Sequence, residues 1–181
     1  MSIWNIDPAH SSVEFTVRHM MVTTVRGGFG EFAGTINFDP ERPEQASVEA
    51  VIQAASIHTG PADRDAHLRS ADFFEVEKFP TITFKSTRVD AQDPTQAKVY
   101  GDLTMHGVVR EVALDVQFLG QQKNPFTGAP TVGFEASVVV NREDFGLTWN
   151  QALEAGGVLV SKEVKISLDV QAVPVSETTS A

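Results

Sequence analysis

Five histidines, His10, His19, His58, His67 and His106, are the side chains best suited to proton transfer or metal ligation near neutral pH. Their spacing fits no standard site: none shows the i, i+4 helical spacing of a zinc ligand pair or a close H-x-H on a strand. Asp63, Asp65, Glu75 and Glu77 gather in one region. An acid/base pair is one reading of that cluster and a solvated helix face is the other. Arg64, His67 and Arg69 share the segment and carry the charge to meet a phosphate or carboxylate headgroup. Gly28-Phe29-Gly30-Glu31-Phe32-Ala33 spells the dinucleotide fingerprint G-x-G-x-x-A. That mechanism needs a helix N-terminus next, whereas Gly34-Thr35-Ile36-Asn37-Phe38 alternates as a strand. The motif therefore reads as a glycine-rich turn or a bent strand. There is no cysteine, which excludes disulfides, thiol catalysis and cysteine-ligated metals. There is also no G-x-S-x-G elbow and no P-loop. No cofactor, metal or catalytic residue is implied.

The 181 residues suit one domain, and the net charge of −10 repels phosphate backbones and anionic headgroups. That argues against nucleic acid and against electrostatic membrane binding. The start, Met1 to Pro8, has neither a basic nor an apolar leader region. The longest apolar run is far short of the ~18 residues a spanning helix needs. The expectation is a cytoplasmic protein with no integral membrane segment; a homodimer is left open.

The elements that would position any site are strands with one apolar face. Val13, Phe15 and Val17 alternate with polar residues, and so do the runs through Phe32–Phe38, Val48–Ile52 and Ile82–Ser86. The pattern continues in Val99–Met105, Val112–Phe118, Phe134–Val140 and Val164–Val170. Side chains alternate across a strand, so each run has one oily and one wet face. Turns fall at Asp7-Pro8, Asp39 to Pro43, Asp93-Pro94 and Gly120 to Pro130, which favours antiparallel hairpins. Three stretches break the pattern. Pro61 to Ser70 reads as a short helix with Gly60 as N-cap, and Asp65 and Arg69 are spaced to pair. An irregular loop follows it to Pro80. His19 to Arg26 and Phe145 to Gly157 read as irregular. His19–Arg26 and Pro61–Phe79 interrupt the strand pattern and are the segments expected to cover and gate a barrel mouth.

Gly34, Ala50, Gly101 and Ala136 put small residues on the apolar phase. They either let a closing sheet bend or leave its interior unfilled. A barrel of about eight strands is just wide enough for one small apolar ligand.

Several strings, in order, resemble the YceI-like family. They are Trp4-Asn5-Ile6-Asp7-Pro8-Ala9-His10-Ser11-Ser12-Val13-Glu14-Phe15, Val17-Arg18-His19, Gly28-Phe29, Ser56-Ile57-His58-Thr59-Gly60 and Arg64 to Phe74. Phe79 to Phe84, Gly101 to Arg110 and Asn141 to Leu147 complete the set. The resemblance implies an all-β fold, an antiparallel lipocalin-like β-barrel of about eight strands with one or two short helices. It spans 3–172, with 173–181 as a flexible tail. It also implies binding, storage or transport of a long-chain isoprenoid or similar amphiphilic lipid in an elongated apolar interior. On the strand phase the ligand-binding residues are Phe15, Val17, Ile36, Phe84, Leu103, Leu114, Phe134, Val138, Ile166 and Leu168, with Arg64 and Arg69 for a headgroup. The rival reading is an enzyme acting on an isoprenoid or lipid, with His10, Asp65 or His67 as acid/base.

Overall fold

The computed structural model describes residues 2–154 and 156–175. Eleven strands form one sheet: β1 (Ser2–Ile6), β2 (Ser12–His19), β3 (Thr23–Phe29), β4 (Phe32–Phe38), β5 (Ser47–Gln53), β6 (Ile57–His58), β7 (Thr81–Ala91), β8 (Gln96–Met105), β9 (Val108–Lys123), β10 (Pro130–Asn141) and β11 (Glu163–Pro174). Helix α1 (Ala62–Arg69) lies between β6 and β7.

Six of these strands are halves of three longer ones. β1 and β2 are separated by a single turn at Pro8–His10, where the Asp7 carboxylate accepts from the Ala9 amide. β3 and β4 break at Gly30-Glu31, and β5 and β6 at the turn Ala54–Ser56. The halves pair with matching halves. β1 lies against β4 and β2 against β3, while β5 lies against β4 and β6 against β3. Counted this way the barrel has eight antiparallel staves, each hydrogen-bonded to its sequence neighbours. β11 closes the ring by pairing with β10 on one edge and with both β1 and β2 on the other. Closure leaves no long free edge, which suits strands this rich in exposed polar faces.

Register explains the gaps in the apolar pattern. Of the stretch His19–Arg26 expected to be irregular, only 20–22 is a turn: His19 ends β2, and Thr23–Arg26 belongs to β3. Its inner positions are Val25, Gly27 and Phe29, and a β-carbon on Gly27 would meet Phe15 Cζ at 2.5 Å. The phenylalanine ring across the hairpin fills the volume, so the strand carries glycine where a hydrophobe would signal it. Gly28 to Ala33 is a bent strand with no helix after it. β11 runs on to Pro174, so residues 173 and 174 belong to the barrel; 176–181 lie outside the described residues.

The barrel has two distinct poles. The hairpin pole carries the turns 39–46, 92–95 and 124–129. Trp4, Phe38, Val132, Phe134 and Ala172 are buried there, with Phe38, Phe118 and Phe134 stacked at centroid distances of 5.1 to 5.4 Å. The helix pole carries α1, the loop 70–80 and the segment 142–162. Its core is Phe29, Ala54, Ile57, Ile82, Leu103, Met105, Val140, Phe145 and Leu147. No helix among the described residues is long and apolar enough to cross a membrane.

Candidate functional site

A cavity of about 310 Å³ runs inside the barrel from one pole toward the other. All ten of the inward-phase residues lie in its wall: Phe15, Val17, Ile36, Phe84, Leu103, Leu114, Phe134, Val138, Ile166 and Leu168. They come from β2, β4, β7, β8, β9, β10 and β11, so the wall is built by the whole ring. Many are only half-buried although they point inward, because the space they face is empty. The cavity is many times the ~10–15 Å³ that admits a single water-sized group. A wall this apolar gives a polar ligand no compensation for lost hydration, so it selects hydrocarbon.

The small residues divide into two kinds. Ala50 and Ala136 border the cavity and leave it open. Gly34 and Gly101 are not in the wall; a β-carbon on Gly101 would meet Phe84 Cζ at 2.5 Å and the Lys85 carbonyl oxygen at 2.6 Å. Gly101 is thus a packing glycine beneath Phe84.

Arg64 and Arg69 do not reach the cavity. Arg64 donates from Nε to Thr59 Oγ1 and from Nη2 to the Thr59 carbonyl. Arg69 donates to the carbonyls of Ala55 at 2.9 Å and Ile57 at 3.0 Å. Both fasten α1 to the edge of the barrel. Asp65 and Arg69 form no direct pair, despite their spacing. Asp65, buried, instead accepts from the amide and hydroxyl of Thr59 at 2.8 and 2.6 Å. The Thr59 hydroxyl bond, chiefly, holds the Asp65 carboxyl below the usual carboxylate range; the Thr59 amide and the charges of Arg69 and Arg64 add to this against the effect of burial. The helix begins at Ala62 with Pro61 as its cap residue, one position later than Gly60 would set.

The acid/base candidates do not converge. His10 pairs with Asp7 on the surface at 2.8 Å, and His67 pairs with Asp72 at 2.9 Å. The His67 ring stacks edge-on against Trp149 and Phe73, joining α1 to the 142–162 segment. None of His10, Asp65 and His67 borders the cavity. Among the described residues no three His, Asp or Glu side chains cluster in a way that could hold a metal ion.

One wall residue has no sequence signal. Arg142 is 3% exposed and borders the cavity at the helix pole. It donates to the carbonyls of Leu147, Val160 and Ser161, at 2.6, 3.2 and 2.8 Å. Burial pulls its pKa down and the Glu143 charge opposes that. A guanidinium buried without a carboxylate partner persists because those three carbonyls take its protons.

Of the two expected gates, Pro61–Phe79 contributes Leu68, Phe73 and Phe74 to the wall, and His19–Arg26 contributes none. At the helix pole the wall includes Phe73, Leu147 and Arg142, all buried. At the hairpin pole it includes Ser47 and Asp93, Pro94, Thr95 and Gln96, all exposed. The solvent-exposed part of the wall therefore lies between the 39–46 and 92–95 turns, opposite α1, and makes this the candidate mouth.

The YceI-like domain family matches residues 4–172. The UPF0312 protein SA2479 of Staphylococcus aureus (strain N315) is 39% identical over 171 residues, covering 94% of this chain and 97% of that one. Among solved structures, BcnA of Burkholderia cenocepacia superposes with a TM-score of 0.81 at 23% identity, covering 92% of this chain and 98% of that one. A domain of Saccharophagus degradans described as polyisoprenoid binding and implicated in plant cell wall breakdown superposes with a TM-score of 0.68 at 16% identity, covering 97% of this chain and all of that one (100%). With the family matched over nearly its whole length, the chain belongs to the YceI-like family.

Proposed function

We propose that this protein binds a long-chain isoprenoid or similar amphiphilic lipid inside the barrel and stores or carries it. The observation that carries this reading is the apolar cavity of about 310 Å³ along the barrel, with exposed lining residues at the hairpin pole. The cavity is lined from residues 93–97 at one pole to Phe73 and Leu147 at the other, a length that suits an extended chain. β7 alone, at 11 residues, gives a wall of ~37 Å at ~3.4 Å per residue. Burial of hydrocarbon supplies the binding energy, at ~0.8 kcal/mol per CH₂ before ordering costs. The polyisoprenoid-binding description of the Saccharophagus domain supports the same ligand class. The absence of His10, Asp65 and His67 from the wall favours a binding protein over an enzyme of lipid turnover.

Native mass spectrometry of protein purified without detergent tests this. The expected result is a bound lipid, or uptake of a polyprenol offered to the empty protein. Protein that is empty and takes up neither polyprenols nor fatty acyl lipids would overturn it.

A further inference from the structure

Phe126 is 95% exposed at the tip of the β9–β10 hairpin. A phenylalanine so placed loses all the benefit of burial, so what holds it there matters. The tip is a built turn rather than a slack one. The Asn124 carbonyl accepts from Gly128, and the Asn124 amide donates to Ala129. Asn124 Oδ1 accepts from the Phe126 amide at 2.8 Å and from the Thr127 amide at 3.3 Å. Thr127 Oγ1 accepts from the Ala129 amide. These bonds fix the backbone around position 126 and keep its ring in solvent.

Two further facts concern the same hairpin. First, it carries no carboxylate between Asp115 and Glu135, in a chain with 24 acidic residues; Lys123 is its one formal charge. Second, it stands at the mouth. The Phe118 amide donates to the Thr95 carbonyl at 2.7 Å, so β9 abuts the 92–95 turn that borders the cavity opening. A second apolar side chain on this hairpin, Leu119, is also exposed.

We propose that the hairpin pole docks on a lipid bilayer, with Phe126 inserted at the headgroup boundary and the cavity mouth turned to the membrane. Aromatic rings sit well at that boundary, and a single one gives weak, reversible attachment. Weak attachment suits a carrier that must leave again. A bilayer is favoured over a protein partner because a cargo insoluble in water has to cross between the bilayer and this mouth. The surface is zwitterionic: the neighbouring turn carries Asp39, Glu41 and Glu44 against the single Arg42, which pairs with Asp39 at 3.5 Å, and this net negative charge would be repelled by anionic headgroups. This inference rests on the carrier reading for its purpose and is measured separately from it.

The test is flotation of the full chain with phosphatidylcholine vesicles, beside Phe126→Ser and Met21→Ser. Met21 is exposed at the opposite pole and serves as the control. The wild type and Met21→Ser should float alike, and Phe126→Ser should partition about tenfold or more weakly, as loss of one buried aromatic side chain implies. Polyprenol uptake from solution, read by native mass spectrometry, should be unchanged in Phe126→Ser. The inference is overturned if the wild type does not float, or if Phe126→Ser floats equally well. It is also overturned if the loss follows Met21→Ser, or if Phe126→Ser instead dissolves a dimer. Failure of uptake in the wild type would count against the carrier reading, whatever the vesicles show.

Discussion

Phe84 lies so close over Gly101 that a β-carbon at position 101 would stand 2.5 Å from Phe84 Cζ. The Lys85 carbonyl oxygen, at 2.6 Å, blocks the same space from the neighbouring strand and cannot move without breaking the ladder. Gly101→Ala should therefore destabilise the barrel by about 1–3 kcal/mol, the usual range for overpacking. Ala136 has the opposite surroundings, because it borders the cavity. Ala136→Leu should reduce polyprenol uptake more than it reduces stability. Urea unfolding and ligand titration on the two variants check this, and an unchanged urea midpoint for Gly101→Ala would contradict it.

Arg64 and Arg69 hold α1 to Thr59, Ala55 and Ile57 rather than facing the cavity. Arg69→Ala leaves two carbonyls without their donor and should cost about 1–3 kcal/mol. The double change Arg64→Ala, Arg69→Ala should weaken binding of a prenyl diphosphate and of the matching prenol by the same factor. A loss confined to the diphosphate would put these arginines back at a headgroup site.

Asp65 gives the α1 attachment a pH dependence. Its folded pKa is depressed, first by the Thr59 hydroxyl bond, so its contribution to stability is present above the unfolded value. That contribution fades as pH falls below about 4 and through the folded pKa. Asp65→Asn should be less stable than wild type near neutrality, and the two should converge as pH drops into this range. Urea midpoints measured across that interval check the sign; a gap that widens in acid would contradict it.

Arg142 ties Leu147, Val160 and Ser161 to the barrel end through one guanidinium. Removing it leaves the Leu147 and Ser161 carbonyls without that donor, whereas the Val160 carbonyl keeps the Asn150 side-chain amide at 2.7 Å. Arg142→Met should cost about 1–3 kcal/mol, the range for acceptors left without a donor. Amide exchange should accelerate between 147 and 161 first. Uniform acceleration across the barrel would mean that the segment is not a separate unit.

The cavity wall was legible in the sequence because a period of two carries it directly. Phe15 and Val17 on β2, or Ile166 and Leu168 on β11, face inward on that phase alone. Thr23–Phe29 was not legible because Gly27 holds an inner position that the Phe15 ring fills from the facing strand. The Asp65–Arg69 spacing is real, yet both side chains find partners on β6 and its flanks that helix geometry does not reveal. Arg142 reads as one more charged residue in a polar turn. Its burial depends on carbonyls 5 to 19 residues further along the chain. The mouth, too, is a property of closure: turns 39–46 and 92–95 become neighbours only when β4, β5, β7 and β8 lie side by side.

The central claim is that the barrel interior, and not the surface, binds the lipid, and a chain-length series tests it most directly. Dissociation constants would be measured for uncharged polyprenols from about 10 to about 40 carbons, spanning the room available. Affinity should rise with each isoprene unit, at no more than ~0.8 kcal/mol per added CH₂, and level off where the chain fills the cavity. Ala136→Leu, which borders the cavity, should move that plateau to shorter chains. Affinity independent of chain length, or a plateau that Ala136→Leu leaves in place, would contradict binding inside the barrel.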